Sequence, residues 1–216
     1  MNPQTLGAVV ARFNAAPLRA RLHIWGRLRS FPVDAVLDAL PAEGHFVSIG
    51  CGHAATEIAA LLRHPKLQCT ALDPDGAKLA HTRRAAADLP LTVIEGVVPP
   101  PGPFDAALIV DVLYLLTPAE TAALFAALQC ALRPGSRLVL KEMDTKPRTK
   151  YLWNRMQEFL ALRVFRLTRH RHGACGLRPA HELVGELDQA GFQVLRSESL
   201  HGGWLHPHHL IVAVRR

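Results

Sequence analysis

The spacing of apolar and polar positions changes several times along this chain, and each change marks an element. Phe46-Val47-Ser48-Ile49 is a short apolar run that leads into Gly50-Cys51-Gly52 and then into Ala55 to Leu62. A brief apolar run before a glycine turn reads as a buried strand, and the longer stretch after it as a helix. The alternation then recurs. Leu67 to Leu72 predicts a second strand ending at Asp73, and Asp75 to Ala87 a helix. Leu91 to Ile94 predicts a third strand, and Phe104 to Val110, nearly all apolar, a fourth that is buried on both faces. Pro118 to Leu132 reads as a helix, Arg133-Pro134-Gly135-Ser136 as a turn, and Arg137 to Leu140 as a fifth strand. After Ala180 to Ala190, a helix stopped by Gly191, come two last strands, Phe192 to Leu200 and Leu210 to Val214. Their connection is short enough for an antiparallel pair. Such alternation predicts an α/β fold: a doubly wound, mostly parallel sheet of seven strands with helices on both faces.

Two segments stand outside the alternation. Residues 4–29 read as helical, divided at Pro17, with Leu18, Leu22, Trp25 and Leu28 at helical spacing. Phe31-Pro32 breaks that helix, and Val33 to Leu40 forms a short one before the first strand. Residues 145–178 interrupt the pattern later: Tyr151 to Thr168 reads as a long helix, and Thr168 to Gly176 as a basic loop. The expected organisation is one domain over 1–216, with 1–40 as an N-terminal helical segment and 145–178 as an inserted basic lid.

Composition narrows the class. With 216 residues and 49% apolar content, the chain has material for a sizeable core and is not disordered overall. Its apolar runs fall short of the roughly 20 residues a membrane-spanning helix needs. Arg12, Arg19 and Arg21 break up the start, so no leader is expected. Four cysteines without a CxxC pair predict reduced thiols and a cytoplasmic protein. The net charge of +7 is local: residues 1–30 hold five arginines and no acid, and 145–178 hold nine basic residues against Glu158. The rest of the chain is acidic. Such local basicity favours an anionic partner for two segments, either a membrane surface with the protein lying peripherally on it or an acidic carrier protein.

A glycine turn after the first strand and an acid after the second form a nucleotide-type site, in which the acid accepts hydrogen bonds from a ribose. The ordered pieces Gly50-Cys51-Gly52, Asp73, Phe104-Asp105, Leu132-Arg133-Pro134-Gly135 and Ala190-Gly191-Phe192 go further. From about Ala35 onward the chain resembles a class I S-adenosylmethionine-dependent methyltransferase of the small-molecule type, the methyltransferase-11 or methyltransferase-25 group. The resemblance implies S-adenosylmethionine as cofactor. Gly50, Cys51 and Gly52 then pack against its amino-acid part and Asp73 binds its ribose, while Ser48, Pro74, Glu95 and Val110 complete the cofactor set. His53 either meets the cofactor carboxylate or caps the next helix.

Three positions depart from the family pattern. Ser48 stands where the first strand usually carries an acid, Ala54 replaces the third glycine, and Val97 follows Gly96 where an acid often binds adenine. By the same resemblance the acceptor sits beyond strands four and five, near Asp111, Tyr114, Lys141, Glu142 and Asp144. Asp111 and Tyr114 are the catalytic candidates, against their readings as helix cap and packing aromatic. The late histidines, His201, His206, His208 and His209, lack ligand spacing, so no metal is expected. The expected reaction is methyl transfer to a small apolar or lipid-like acceptor. Nucleic-acid methylation is disfavoured, because Val110-Asp111-Val112-Leu113 lacks the Asn/Asp-Pro-Pro-aromatic signature. A non-catalytic, cofactor-binding or membrane-associated protein is the third reading, and the oligomeric state is left open.

Overall fold

The computed structural model describes residues 1–145, 176–200, 202–204 and 206–216. Three helices come first: α1 (Pro3–Arg12), whose N-terminus Asn2 caps, α2 (Leu18–Ser30) and α3 (Val33–Ala39). Proline ends each approach, at Pro17 before α2 and Pro32 before α3. Then follow β1 (Glu43–Ile49), α4 (Ala55–Arg63), β2 (Lys66–Asp73), α5 (Gly76–Ala85), β3 (Leu91–Glu95) and β4 (Phe104–Val110). A 3₁₀ turn at Leu113–Leu115 leads to α6 (Pro118–Ala131), β5 (Leu132–Met143), α7 (Ala180–Gln189), β6 (Phe192–Ser199) and β7 (His208–Arg215). A capping box, Thr117 with Glu120, starts α6.

These strands form one seven-stranded sheet in the order β3-β2-β1-β4-β5-β7-β6. The first five run parallel, while β7 is antiparallel to both β5 and β6. This is the doubly wound sheet with a C-terminal antiparallel hairpin that the alternation predicts. The period of two sorts the core into its two layers. Phe46 of β1 and Ala106, Leu108 and Val110 of β4 pack with α1–α4, whereas Val47, Ile49, Ala107 and Ile109 pack with α6 and α7. Because the chain winds outward both ways from β1 and β4, a cleft opens beyond their carboxyl ends, the place where such sheets bind ligands.

The structure departs from the sequence expectations in two places. In α2 the buried face is Ala20, Ile24 and Leu28, and the apolar set read from the sequence otherwise points outward: Leu18 is 66% exposed, Leu22 59% and Trp25 48%. Ala20 puts a small side chain on the buried face that Ile24 and Leu28 complete, and Leu18 and Leu22 are left outside. Secondly, β5 runs to Met143, so Lys141 and Glu142 lie within a buried strand rather than beyond it. The expected helix Tyr151 to Thr168 and most of the expected 145–178 lid lie outside the described residues. No helix among the described residues is long and apolar enough to cross a membrane.

Candidate cofactor and acceptor site

The loop after β1 is shaped by backbone conformations that few residues tolerate. Gly50 has φ of +67°, and a Cβ there would come within 2.5 Å of Val112, so only glycine lets the β1 and β4 loops meet. Around Gly52 a Cβ would meet nothing within 4 Å, leaving open space against the backbone. Ala54, the replaced glycine, is itself left-handed at φ of +49°, a strain of about 1–2 kcal/mol. Its methyl is fully buried in the core beside α4, which offsets part of that strain.

Asp73 ends β2 beside this loop. Its Oδ2 accepts from Gly52 N at 2.7 Å, and its Oδ1 from Asp75 N at 2.9 Å. Each carboxylate oxygen keeps a further lone pair, which is what two vicinal hydroxyls require. Pro74 is exposed next to it. Glu95 is exposed at the end of β3, paired in register with Asp73, and its carboxylate lies against Gly76 at the start of α5. Ser48, Gly50, Cys51, Gly52, Asp73 and Glu95 therefore gather around the carboxyl ends of β1, β2 and β3. Val110 sits at the matching end of β4. Burial and the nearby Glu57 and Asp73 push the Cys51 thiol up, so it is a neutral packing group. Cys51, Cys69 and Cys130 are all free thiols.

His53 does not cap α4, which has no side-chain cap. It instead packs among rings: stacked on His81 of α5 at 5.7 Å, tilted against His23 of α2 at 5.8 Å, and edge-on to Phe13. Burial, then the neighbours His23, Lys78 and His81, holds it down at about 4, so it is neutral at physiological pH. No group of acids, histidines and cysteines among the described residues could hold a metal.

Two groups emerge that the sequence reading did not assign. The first is Glu57 of α4, 2% exposed, which accepts from Ser48 Oγ at 2.5 Å. The visible signal was an acid on an otherwise apolar helix, opposite the strand position that lacks one. The second is an ionic cluster around Asp111, which has φ of +54°. Lys141 Nζ, with no solvent exposure, donates to both Asp111 oxygens at 2.6 and 2.8 Å, and Arg27 of α2 pairs with Oδ2 at 3.0 Å. Burial works against the Asp111 carboxylate, but Lys141 and Arg27 prevail and hold it below the ordinary range. Glu142 Oε1 accepts from Val112 N and Leu113 N, fixing the 3₁₀ turn that carries Tyr114. His208 Nε2 donates to Ser30 O, tying β7 to the end of α2. Asp111 is thus fully engaged by cations, while Tyr114 is half-buried on that turn.

Beside this cluster lies a cavity of about 390 Å³, lined by residues of α1 and α2 and by the β6–β7 connection, including Leu6, Leu28, Ser30, Trp204 and His206. The start of β7 pairs with Met143 at the carboxyl end of β5, which puts the β6–β7 wall of the cavity at that end of the sheet.

The sequence matches the family described as a methyltransferase domain over residues 24–197. Among solved structures, the chain is similar to the pyocyanin biosynthetic protein PhzM, with a TM-score of 0.72 and 20% identity over 95% of this chain and 61% of that one. It is similar to the S-adenosylmethionine-dependent methyltransferase SibL in its apo form, with a TM-score of 0.69 and 22% identity over 95% and 61%. For the mitomycin 7-O-methyltransferase MmcR the TM-score is 0.68 at 22% identity, over 96% and 60%. At these identities the likeness establishes the fold. The chain spans about three fifths of the length of each of these three proteins. Compared by sequence with curated proteins, it has no match.

Proposed function

We propose that this chain, which belongs to the methyltransferase-domain family, takes S-adenosylmethionine as its cofactor and transfers the methyl group to a small, largely apolar acceptor. The observation that carries the reading is the joint geometry of Gly52, open to a ligand along its backbone, and Asp73, buried beside it with lone pairs to spare. The residues fit the cofactor: Gly50 to Gly52 would hold its amino-acid part and Asp73 its ribose hydroxyls, with Glu95 and Val110 bordering the rest of the site. When bound, the cofactor supplies an electrophilic methyl on sulfonium, and such a transfer needs alignment and dryness more than covalent help.

The chain's own residues serve that need. Val112 against Gly50 locks the two loops together. The Asp111–Lys141–Arg27 cluster fixes α2 over the sheet edge, where it closes the acceptor side from water. Asp111 is too strongly paired to serve readily as a general base, which favours positioning over proton removal as this protein's contribution. Tyr114 borders the acceptor from the 3₁₀ turn. The cavity beside Leu28, Trp204 and His206 has a volume in the range of small-molecule pockets, and Leu6, Leu28 and Trp204 give it apolar wall.

The outward face of α2 supports an anionic lipid surface as the place where a greasy acceptor is met. Leu18, Leu22 and Trp25 are exposed there, with Arg19, Arg21 and Arg29 beside them, and Arg29 stacks on Trp25 at 5.4 Å. In this reading residues 1–216 act as one methyltransferase domain, with the basic 145–178 stretch as its second anionic contact. Release of S-adenosylhomocysteine in the presence of small aromatic and lipid-like alcohols, amines and acids tests the proposal. Turnover with RNA alone, or none with any acceptor, refutes it. The second of these results leaves a cofactor-binding protein without transfer, the reading that Ser48, Ala54 and Val97 favour.

A further inference from the structure

We infer that Glu57 is the acid that receives the cofactor's ammonium group, taking over from the first-strand acid that Ser48 replaces. The inference rests on the cofactor reading above and names a contact that the glycine loop alone does not provide. Ser48 is 1% exposed, two residues before Gly50, and its hydroxyl is spent on Glu57 Oε1. Glu57 projects from the first turn of α4 toward β1, so its longer side chain brings a carboxylate to the strand position from which the acid is missing. Its second oxygen, Oε2, is buried and has no hydrogen-bond partner. A buried carboxylate oxygen without a donor is costly, and a ligand's N–H groups remove that cost. One oxygen is therefore anchored by Ser48 of β1, the strand that feeds the Gly50 to Gly52 loop, and the other is left without a donor.

The surroundings leave this role to Glu57. From α2, Arg27 exerts a favourable field, but its guanidinium is bound to Asp111 and to Val110 O. From β2, Asp73 opposes ionisation, and the thiols of Cys51 and Cys69 are neutral neighbours. On α1, Arg12 pairs with Asp88, and on α3, Asp34 and Asp38 pair with Arg63 at the far end of α4. Burial pushes Glu57 up to about 7 despite the Ser48 hydrogen bond. Below about pH 7 the neutral acid must release a proton to solvent when the cationic ammonium arrives, so affinity falls up to about tenfold for each pH unit. Above it the carboxylate is already charged and affinity levels off.

Calorimetric titration with S-adenosylhomocysteine and with methylthioadenosine, which lacks the amino-acid tail, tests the assignment. The expected result is that Glu57→Gln loses at least tenfold in affinity for S-adenosylhomocysteine at pH 8 and keeps its affinity for methylthioadenosine, which also reports that the variant is folded. Moving the acid back to the strand, in Ser48→Asp with Glu57→Ser, is expected to restore the first affinity. In the unaltered protein the ratio of the two affinities should rise with pH up to about 7. A flat ratio from pH 6 to pH 8, or equal S-adenosylhomocysteine affinity with and without Glu57, overturns the assignment while the cofactor reading stands. Failure of the unaltered protein to bind either ligand overturns both.

Discussion

Replacing Asp111 by asparagine separates a structural anchor from a catalytic base. Asparagine nearly matches aspartate in shape and tolerates the left-handed backbone at φ of +54°, so the change removes a charge and little else. Lys141 would remain with no solvent exposure, beside Arg27, with Glu142 in its own strand and the Phe31 ring 5.1 Å away as its remaining support. Stripping one partner from a buried ion pair costs about 3–5 kcal/mol, and the asparagine oxygen, still an acceptor, places this change near about 3 kcal/mol. For a chain of this size that lowers the thermal midpoint by about 6–12 °C. Circular-dichroism melts and urea titration read it directly. Adding Lys141→Met removes the stranded cation, and most of the loss is expected to return, because Arg27 is 36% exposed and can turn to water. A carboxylate held below its ordinary value stabilises the fold at neutral pH, and that contribution fades as pH drops from the ordinary carboxylate range through its lowered folded value. A loss under about 1 kcal/mol, together with abolished turnover and intact cofactor binding, would show that Asp111 is a free base and that the anchoring argument is wrong.

Two further expectations rest on other residues. Burial, then Asp111, pushes Glu142 up to about 7, so the fold keeps a proton that the unfolded chain loses above about pH 4.5; burial, then Lys141, holds His208 down at about 3, so the unfolded chain gains a proton first below about pH 6.5. Between pH 7.5 and pH 5 these act oppositely, each by about 2 kcal/mol, so acidification should lower the melting midpoint of Glu142→Gln and raise that of His208→Gln relative to the unaltered protein; parallel melting curves for all three contradict this. Leu22→Ala with Trp25→Ala should weaken binding to phosphatidylglycerol vesicles at least fivefold in a flotation assay without lowering stability, since both side chains are exposed; undiminished flotation removes α2 as the contact.

Much of this architecture is legible in the sequence because it is set locally. Strand lengths, the glycine turn at Gly50 to Gly52 and the stop at Gly191 each depend on neighbours within a few residues. The orientation of α2 does not. Leu18, Leu22 and Trp25 are spaced as well as Ala20, Ile24 and Leu28 for one helical face, and only packing against α1 and α4 selects the set with the small residue. The engagement of Asp111 is equally hidden, since Lys141 lies 30 positions on in the neighbouring strand and Arg27 comes from a helix that crosses from the N-terminus. Glu57 was visible only as a misplaced acid, and pairing it with Ser48 required the β1–α4 packing.

Isothermal titration of S-adenosylmethionine into the unaltered protein and into Asp73→Ala tests the central claim most directly. Micromolar binding, weakened at least tenfold by the substitution, is the expected result, because Asp73 holds both the Gly52 backbone and the place of the ribose hydroxyls. No detectable binding at millimolar ligand, or equal affinity without the Asp73 carboxylate, would contradict it.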